Sequence, residues 1–445
     1  MGIVITGGTV VRMRRADGAD EAPVADVRIE GTRITEVGTV KPRPGDTVID
    51  AAGCAVLPGL VQAHVHLAQA LFRGMADDLP LLPWLEERIW PLEAAHDPAS
   101  LAASAELGLA EMQRAGTTSI LDMGTVHHHD AVMEAISRSG MRAVSGKAMM
   151  DQGDRVPAGL RETTASSLAE SERLAAAWHG RENGRIRYGY APRFILSCSE
   201  ALFRGAVERA VESGAMLHSH VAEHADERDA VRKILGRDDL EALEFMGFQG
   251  TSCVLAHGVQ FTDAEMKRVA EAGTRIAHCP SANLKLSSGI ADVRAMLAAG
   301  IVVGIGADGA PCNNRMDPWT ELRSAALLAK AKTGDASALA AREALALATT
   351  GGAEALGLGG AAGSIEAGFA ADVIVVGLDG LHQLPGGDVY STLVYSTTAA
   401  DVRDVIVDGA VVVRGGVHQR LDEGAVKANA RGEAKRVLSR AGLTR

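Results

Sequence analysis

Between about residues 57 and 365, short apolar runs alternate with segments of helical length, and the runs repeatedly end in His, Asp or Arg. The runs cover 60–66, 118–122, 142–148, 185–190, 215–220, 252–257, 274–278 and 301–308. Helical periodicity occupies 100–115, 130–139, 165–178, 201–213, 263–272 and 290–299, several of these segments closing on glycine as a C-cap does. Eight strands alternating with helices over roughly 300 residues match an α/β fold of the TIM type, the (β/α)8 barrel, in count and size. A doubly wound open sheet also alternates. It gives no reason for reactive side chains to recur at so many strand ends, whereas a barrel gathers all its C-terminal strand ends around one mouth.

The flanks have another texture. Residues 1–56 read as short strands separated by turns, and the pattern returns in 371–376 and 402–413, where Asp408-Gly409 suits a hairpin turn. The expected organisation is a barrel over 57–365 and a small β-sandwich domain built from both termini, 1–56 supplying one part and 366–445 the other part with a tail. A net charge of -11 argues against nucleic acid or an anionic membrane as partner. Five scattered cysteines without a CxxC pair suit reduced thiols in a cytoplasmic protein, and no apolar stretch suggests a signal peptide or a membrane span.

The first apolar run ends in His64-Val65-His66, and in an extended strand that spacing puts both imidazoles on one face. The fifth ends in His218-Ser219-His220 with Glu223 behind it, the sixth at His257, the seventh at His278 and the eighth at Asp308. His64, His66, His220 and Asp308 make a ligand set suited to a borderline ion such as Zn²⁺, which lowers the pKa of a bound water toward neutrality. Glu223 is placed to carry a proton, His257 to hydrogen-bond the attacking oxygen, and Asp308 to share the proton transfer. His218, deeper in the strand, reads as a packed, hydrogen-bonded histidine, and His127-His128-His129 as solvent-facing or supporting residues. A carbamylated Lys147 bridging two metals is set aside. Asp122 is expected to cap a loop or hold a ligand histidine, and His96, His179, His382 and His418 are placed at the surface.

Taken in order, these motifs resemble the amidohydrolase superfamily, in its branch of single-metal aminohydrolases acting on nitrogen heterocycles. Guanine deaminase, methylthioadenosine/S-adenosylhomocysteine deaminase and the triazine hydrolases belong to that branch. The likeness covers nearly the whole chain and includes the run His278-Cys279-Pro280-Ser281-Ala282-Asn283, Ala307-Asp308-Gly309, and Gly363 to Gly368 entering the terminal domain. It implies one Zn²⁺ per chain, with Fe²⁺ able to serve the same ligands, a small-molecule nitrogen heterocycle as partner, and a homo-oligomer as in many resembling enzymes. Two sub-family signals compete. The stretch from Leu71 to Pro80, with Trp84-Leu85 and Trp90-Pro91-Leu92-Glu93, resembles the adenosine-derivative deaminases, in which the residue matching Glu93 contacts ribose hydroxyls. Pro192-Arg193-Phe194 with Ser197-Cys198-Ser199 resembles guanine deaminase instead, whose residues matching Arg193 and Gln69 contact the base.

An arginine fork and a glutamine amide suit a ring edge bearing a carbonyl and adjacent nitrogens, and an unpaired buried Arg193 is costly. The sequence thus favours hydrolytic deamination of a guanine-like oxo-amino heterocycle (purine, pterin or hydroxy-triazine), with Gln69, Arg193, Phe194 and Glu93 as substrate contacts. The alternatives are an adenosine-type deaminase and a chloro- or alkylamino-triazine hydrolase. The segment from Pro311 to Asp317 resembles those alternatives more than guanine deaminase.

Overall fold

The computed structural model describes residues 2–14 and 22–444. Five strands open the chain: β1 (Ile3–Val10), β2 (Val24–Glu30), β3 (Arg33–Gly38), β4 (Thr47–Asp50) and β5 (Cys54–Pro58). The barrel strands follow as β6 (Leu60–Val65), β7 (Thr117–Met123), β8 (Arg142–Gly146) with its short continuation β9 (Ala148–Met149), β10 (Ile186–Pro192), β11 (Met216–Val221), β12 (Cys253–His257), β13 (Arg275–His278) and β14 (Val303–Ile305). Near the C-terminus come β15 (Val373–Gly377), β16 (Val402–Val407), β17 (Ala410–Arg414) and β18 (Val417–His418).

All pairs from β6 to β14 are parallel and follow chain order, as crossover helices require. β6, β7, β8 and β12 are buried along their whole length, which explains why they read as apolar runs without alternation. Closure brings β14 against β6, where Val65 bridges Asp308 and the Asp308 amide donates to the His64 carbonyl at 3.1 Å. Gly304 and Gly306 permit that approach: a Cβ would stand 2.7 Å from Ala63 Cβ at the former and 2.5 Å from the His64 carbonyl at the latter. The crossover helix Pro98–Arg114 illustrates the local logic, starting at an Asp97–Ser100 capping box with Pro98 in its first turn and stopping before Gly116, at φ 87°.

The terminal strands form one continuous mixed sheet in the order β18-β17-β16-β15-β5-β1-β2-β3, with β4 on β1, so the layers of the expected sandwich share a single hydrogen-bonded path. An ion pair from Arg142 of β8 to Asp372 (2.6 Å) and Asp408 (2.9 Å) ties this sheet to the barrel. The last helix, Glu423–Ala441, packs Val437 and Leu438 against Leu71, Phe72 and Leu92. No helix among the described residues is long and apolar enough to cross a membrane.

Two histidines expected at the surface are buried. His96, 9% exposed, lies between Ser100 Oγ (3.0 Å) and the Ala68 carbonyl (2.8 Å) and stacks on Phe72. His418 reaches the Ala110 carbonyl at 3.1 Å. In both cases the covering residues come from the segment after β6 or from its helix, contacts that local periodicity does not reveal. His382 is exposed and His179 half-buried.

Candidate metal centre and cavity

His64, His66 and His220 each reach the cavity with one ring nitrogen already engaged. His66 Nδ1 donates to the Met123 carbonyl at 2.7 Å and His220 Nδ1 to the Arg193 carbonyl at 2.6 Å. His64 Nδ1 meets His218 Nε2 at 2.8 Å, and His218 Nδ1 meets the Val254 carbonyl at 2.8 Å. A carbonyl only accepts, so the proton of His218 is on Nδ1, its Nε2 accepts from His64, and His64 Nε2 is left bare. His64 Nε2 is buried without a hydrogen-bond partner among the described residues. Both His64 Nε2 and His66 Nε2 lie 3.3 Å from Asp308 Oδ1. Donor atoms of His64, His66 and Asp308, and of His64, His220 and His257, lie within 4.8 Å of one another. Bare imidazole nitrogens converging on a carboxylate, each ring oriented by a second hydrogen bond, fit a divalent ion.

The electrostatics agree with neutral ligands. Burial first, then neighbouring histidines, hold His64, His66 and His220 well below the usual imidazole range. At Asp308 burial works upward but His257, His66 and His220 outweigh it, and the carboxyl is held below its usual value. Glu223 goes the other way: burial and the nearby Asp308 push its carboxyl well above the usual range, against Arg193. His257 is oriented by Asn283 Oδ1 at 2.9 Å, and its Nε2 stands 3.5 Å from Glu223 Oε2 and 4.0 Å from Asp308 Oδ2. Two carboxyls pushed in opposite directions around one cavity are suited to different proton duties. Ala222, His257 and Asp308 all take left-handed φ values of 48°, 79° and 60°, a strain that the strand-end hydrogen bonds sustain.

Above these groups lies a cavity lined by His66, Gln69, Arg193, His220, Glu223, His257 and Asp308, with an apolar wall of Leu81, Trp84, Leu85, Phe194 and Leu286. Leu81, Trp84 and Leu85 arrive on one insert, whose helical turn widens where the Trp90 amide reaches back to the Leu85 carbonyl. Glu93 closes that insert and stands behind the wall: Arg193 Nη1 donates to one of its oxygens and Gln69 Nε2 to the other, at 2.9 Å. Gln69 and Arg193 do converge from separate loops, and they converge on Glu93. Arg193 is therefore paired inside the protein, which removes the cost argument that favoured an oxo-bearing ring. Because a carboxylate can only accept, Gln69 must turn its Oε1 away from Glu93. That oxygen and Trp84 Nε1 are buried without partners among the described residues. Gly309 leaves the space, since a Cβ there would stand 2.1 Å from Gln69 Oε1.

Other expected positions resolve differently. Asp122 takes the Leu67 amide (2.8 Å) and Ser145 Oγ (2.6 Å), so it caps the segment after β6 and bonds no ligand histidine. His129 bonds Ser145 Oγ at 3.0 Å, while His127 and His128 are exposed. Lys147 pairs with Glu162 at 2.6 Å. Leu81 and Leu286 carry no chemical signal in the sequence, and only the fold brings them to the cavity.

Residues 55–412 match the family model described as the Amidohydrolase family. A 5-methylthioadenosine/S-adenosylhomocysteine deaminase of Haloarcula marismortui is 37% identical over 444 residues, covering 99% of each chain. A 5'-deoxyadenosine deaminase of Methanosarcina acetivorans is 39% identical, covering 93% of this chain and 94% of its own. Among solved structures, a zinc-bound adenosine deaminase from Xanthomonas campestris superimposes with a TM-score of 0.91 at 32% identity, over 98% of both chains. With a family match over most of its length and relatives aligned nearly end to end, the chain is an enzyme of the amidohydrolase family.

Proposed function

We propose that the enzyme hydrolytically deaminates a 6-aminopurine nucleoside carrying a small apolar 5' substituent, with a single zinc ion held by His64, His66, His220 and Asp308. The observation that carries this reading is the internal pairing of Arg193 with Glu93. It leaves no buried cation in need of an oxo group. The near full-length relatives bear the names of adenosine-type deaminases. The wall of Leu81, Trp84, Leu85, Phe194 and Leu286 suits a deoxy or methylthio group, and Arg193, the one Lys or Arg side chain lining the cavity among the described residues, is already engaged. A charged amino-acid tail finds no partner on this wall.

A zinc ion held by His64, His66, His220 and Asp308 would supply an activated water for attack on the ring carbon that bears the amine. Glu223 takes the proton released from that water and delivers it to the adjacent ring nitrogen, its raised affinity for protons suiting it to hold one between the two steps. His257 hydrogen-bonds the attacking oxygen as the ring carbon becomes tetrahedral. The C–N bond then breaks with both electrons leaving on nitrogen, which departs as ammonia after taking the second proton of the water by way of Asp308 and Glu223. Gln69 Oε1 and Trp84 Nε1 supply an acceptor and a donor to the bound nucleoside.

The test is ammonia release from 5'-deoxyadenosine, methylthioadenosine, S-adenosylhomocysteine and guanine. Turnover of the first two at kcat/KM at least tenfold above the third, with guanine inert, is expected. Turnover of guanine alone overturns the proposal.

A further inference from the structure

Glu223 lies on the short connection between β11 and the helix Ala225–Leu235, and this connection begins with Ala222 at φ 48°, a conformation disfavoured for any residue with a Cβ. Both peptide groups of Ala222 are anchored. Its amide donates to Asp239 Oδ2 at 2.5 Å, and its carbonyl accepts from the Gln260 amide at 2.9 Å. Asp239 is 1% exposed; its other oxygen takes the Leu240 amide at 2.9 Å and lies 3.3 Å from Arg228 Nε. Arg228, 4% exposed, also donates through Nη1 to the Gln260 carbonyl at 2.6 Å and pairs with Glu265 through Nη2. One guanidinium therefore reaches both anchor residues of Ala222, by charge at Asp239 and by a hydrogen bond at the Gln260 carbonyl. Gln260 follows His257 by three residues, so the same group joins the loop of His257 to the loop of Glu223, whose facing atoms stand 3.5 Å apart.

We infer that Arg228 and Asp239 are positioning residues for proton transfer: a buried ion pair outside the cavity that sets Glu223 against His257. Neither lines the cavity, and neither orients a ligand histidine. A buried ion pair is weak evidence for stability, since well-packed apolar residues often replace one without loss; its worth here is the unique placement of two loops. Proton transfer depends on that placement far more steeply than substrate binding does. The inference rests on the assignment of Glu223 as proton carrier, which Glu223→Gln tests by itself.

The experiment compares Arg228→Met, Asp239→Asn and the double variant with the zinc-loaded wild-type enzyme. Each single variant is expected to lower kcat by 10- to 100-fold, with KM, the Kd of the deaminated product and zinc per chain all within threefold of wild type. The double variant is expected to be no slower than the worse single one, because the pair acts as one device. It removes both charges of the pair and leaves Glu265, which loses its arginine, the amide and hydroxyl of Thr262 as donors, so it carries the same readout where a single variant does not fold. Arg228→Lys, which reaches one anchor but not both, is expected to recover part of kcat. A double variant with kcat within threefold of wild type per zinc-loaded chain overturns the inference, as does a change confined to KM. A Glu223→Gln enzyme of undiminished kcat overturns its premise instead, whatever the Arg228 result.

Discussion

At each proposed ligand histidine the ring nitrogen facing away from the cavity decides what the facing one can do. His64 depends on His218, and His218 on the Val254 carbonyl, a two-step relay that ends in the backbone of β12. Replacing His218 with Phe removes the acceptor for His64 Nδ1–H, and zinc affinity measured by chelator competition is expected to drop 10- to 100-fold while the fold persists. Acid acts on other residues. Burial depresses His96 to about 4, His129 to about 3 and His278 to about 3, so between these values and 6.5 the unfolded chain binds more protons than the folded one. The contribution of these histidines to stability then rises with pH through that window and is lost as pH falls from 6.5 toward 4, on the order of 3 kcal/mol for each histidine. Denaturant midpoints at pH 7 and pH 5 check the sign; a higher midpoint at pH 5 contradicts it. The His64–His66 pair was legible in the sequence because a strand alternates with period two. His96 and His418 were not, since residues remote in sequence bury them.

Elements were legible wherever their signal is local. All eight barrel positions fall on the apolar runs, because both faces of a parallel strand are buried, and the helix ends follow their capping residues and glycines. What the sequence does not display is how the last strand meets the first. That contact rests on Gly304 and Gly306, where side chains would strike Ala63 and the His64 backbone. In Gly306→Ala the added methyl must push β14 away from β6, costing about 1–3 kcal/mol and shifting Asp308 from its place beside His64 and His66. Zinc per chain below half and a lower Tm are the expected readings; full zinc occupancy at wild-type Tm contradicts this account. Sub-family resemblance led toward a guanine-like substrate for a related reason. Arg193 and Glu93 lie 100 residues apart, and their pairing appears only when the insert folds over the mouth.

Across the whole molecule, the C-terminal helix braces the mouth, while the terminal sheet meets the barrel at the starts of its strands. The final helix seals Leu71, Phe72 and Leu92, the apolar backing of the segments that carry Gln69 and Glu93, and Arg440 Nε donates to the Ala95 carbonyl at 2.7 Å. Removing residues 423–445 is expected to lower Tm and to raise KM more than tenfold, because the insert loses its support while the zinc ligands keep theirs. Thermal melts and initial rates test both, and an unchanged KM counts against the brace. In the terminal sheet, β5 runs directly into β6 and is flanked by β1 on one side and β15 on the other. On a ribosome, β5 and the strand bearing His64 and His66 emerge early, yet the closing neighbour at Asp308 and the partner of β5 at Val373–Gly377 are made some 240 to 310 residues later. The first of the proposed ligands thus wait for Asp308, so the proposed zinc site cannot close until the eighth barrel strand has been made.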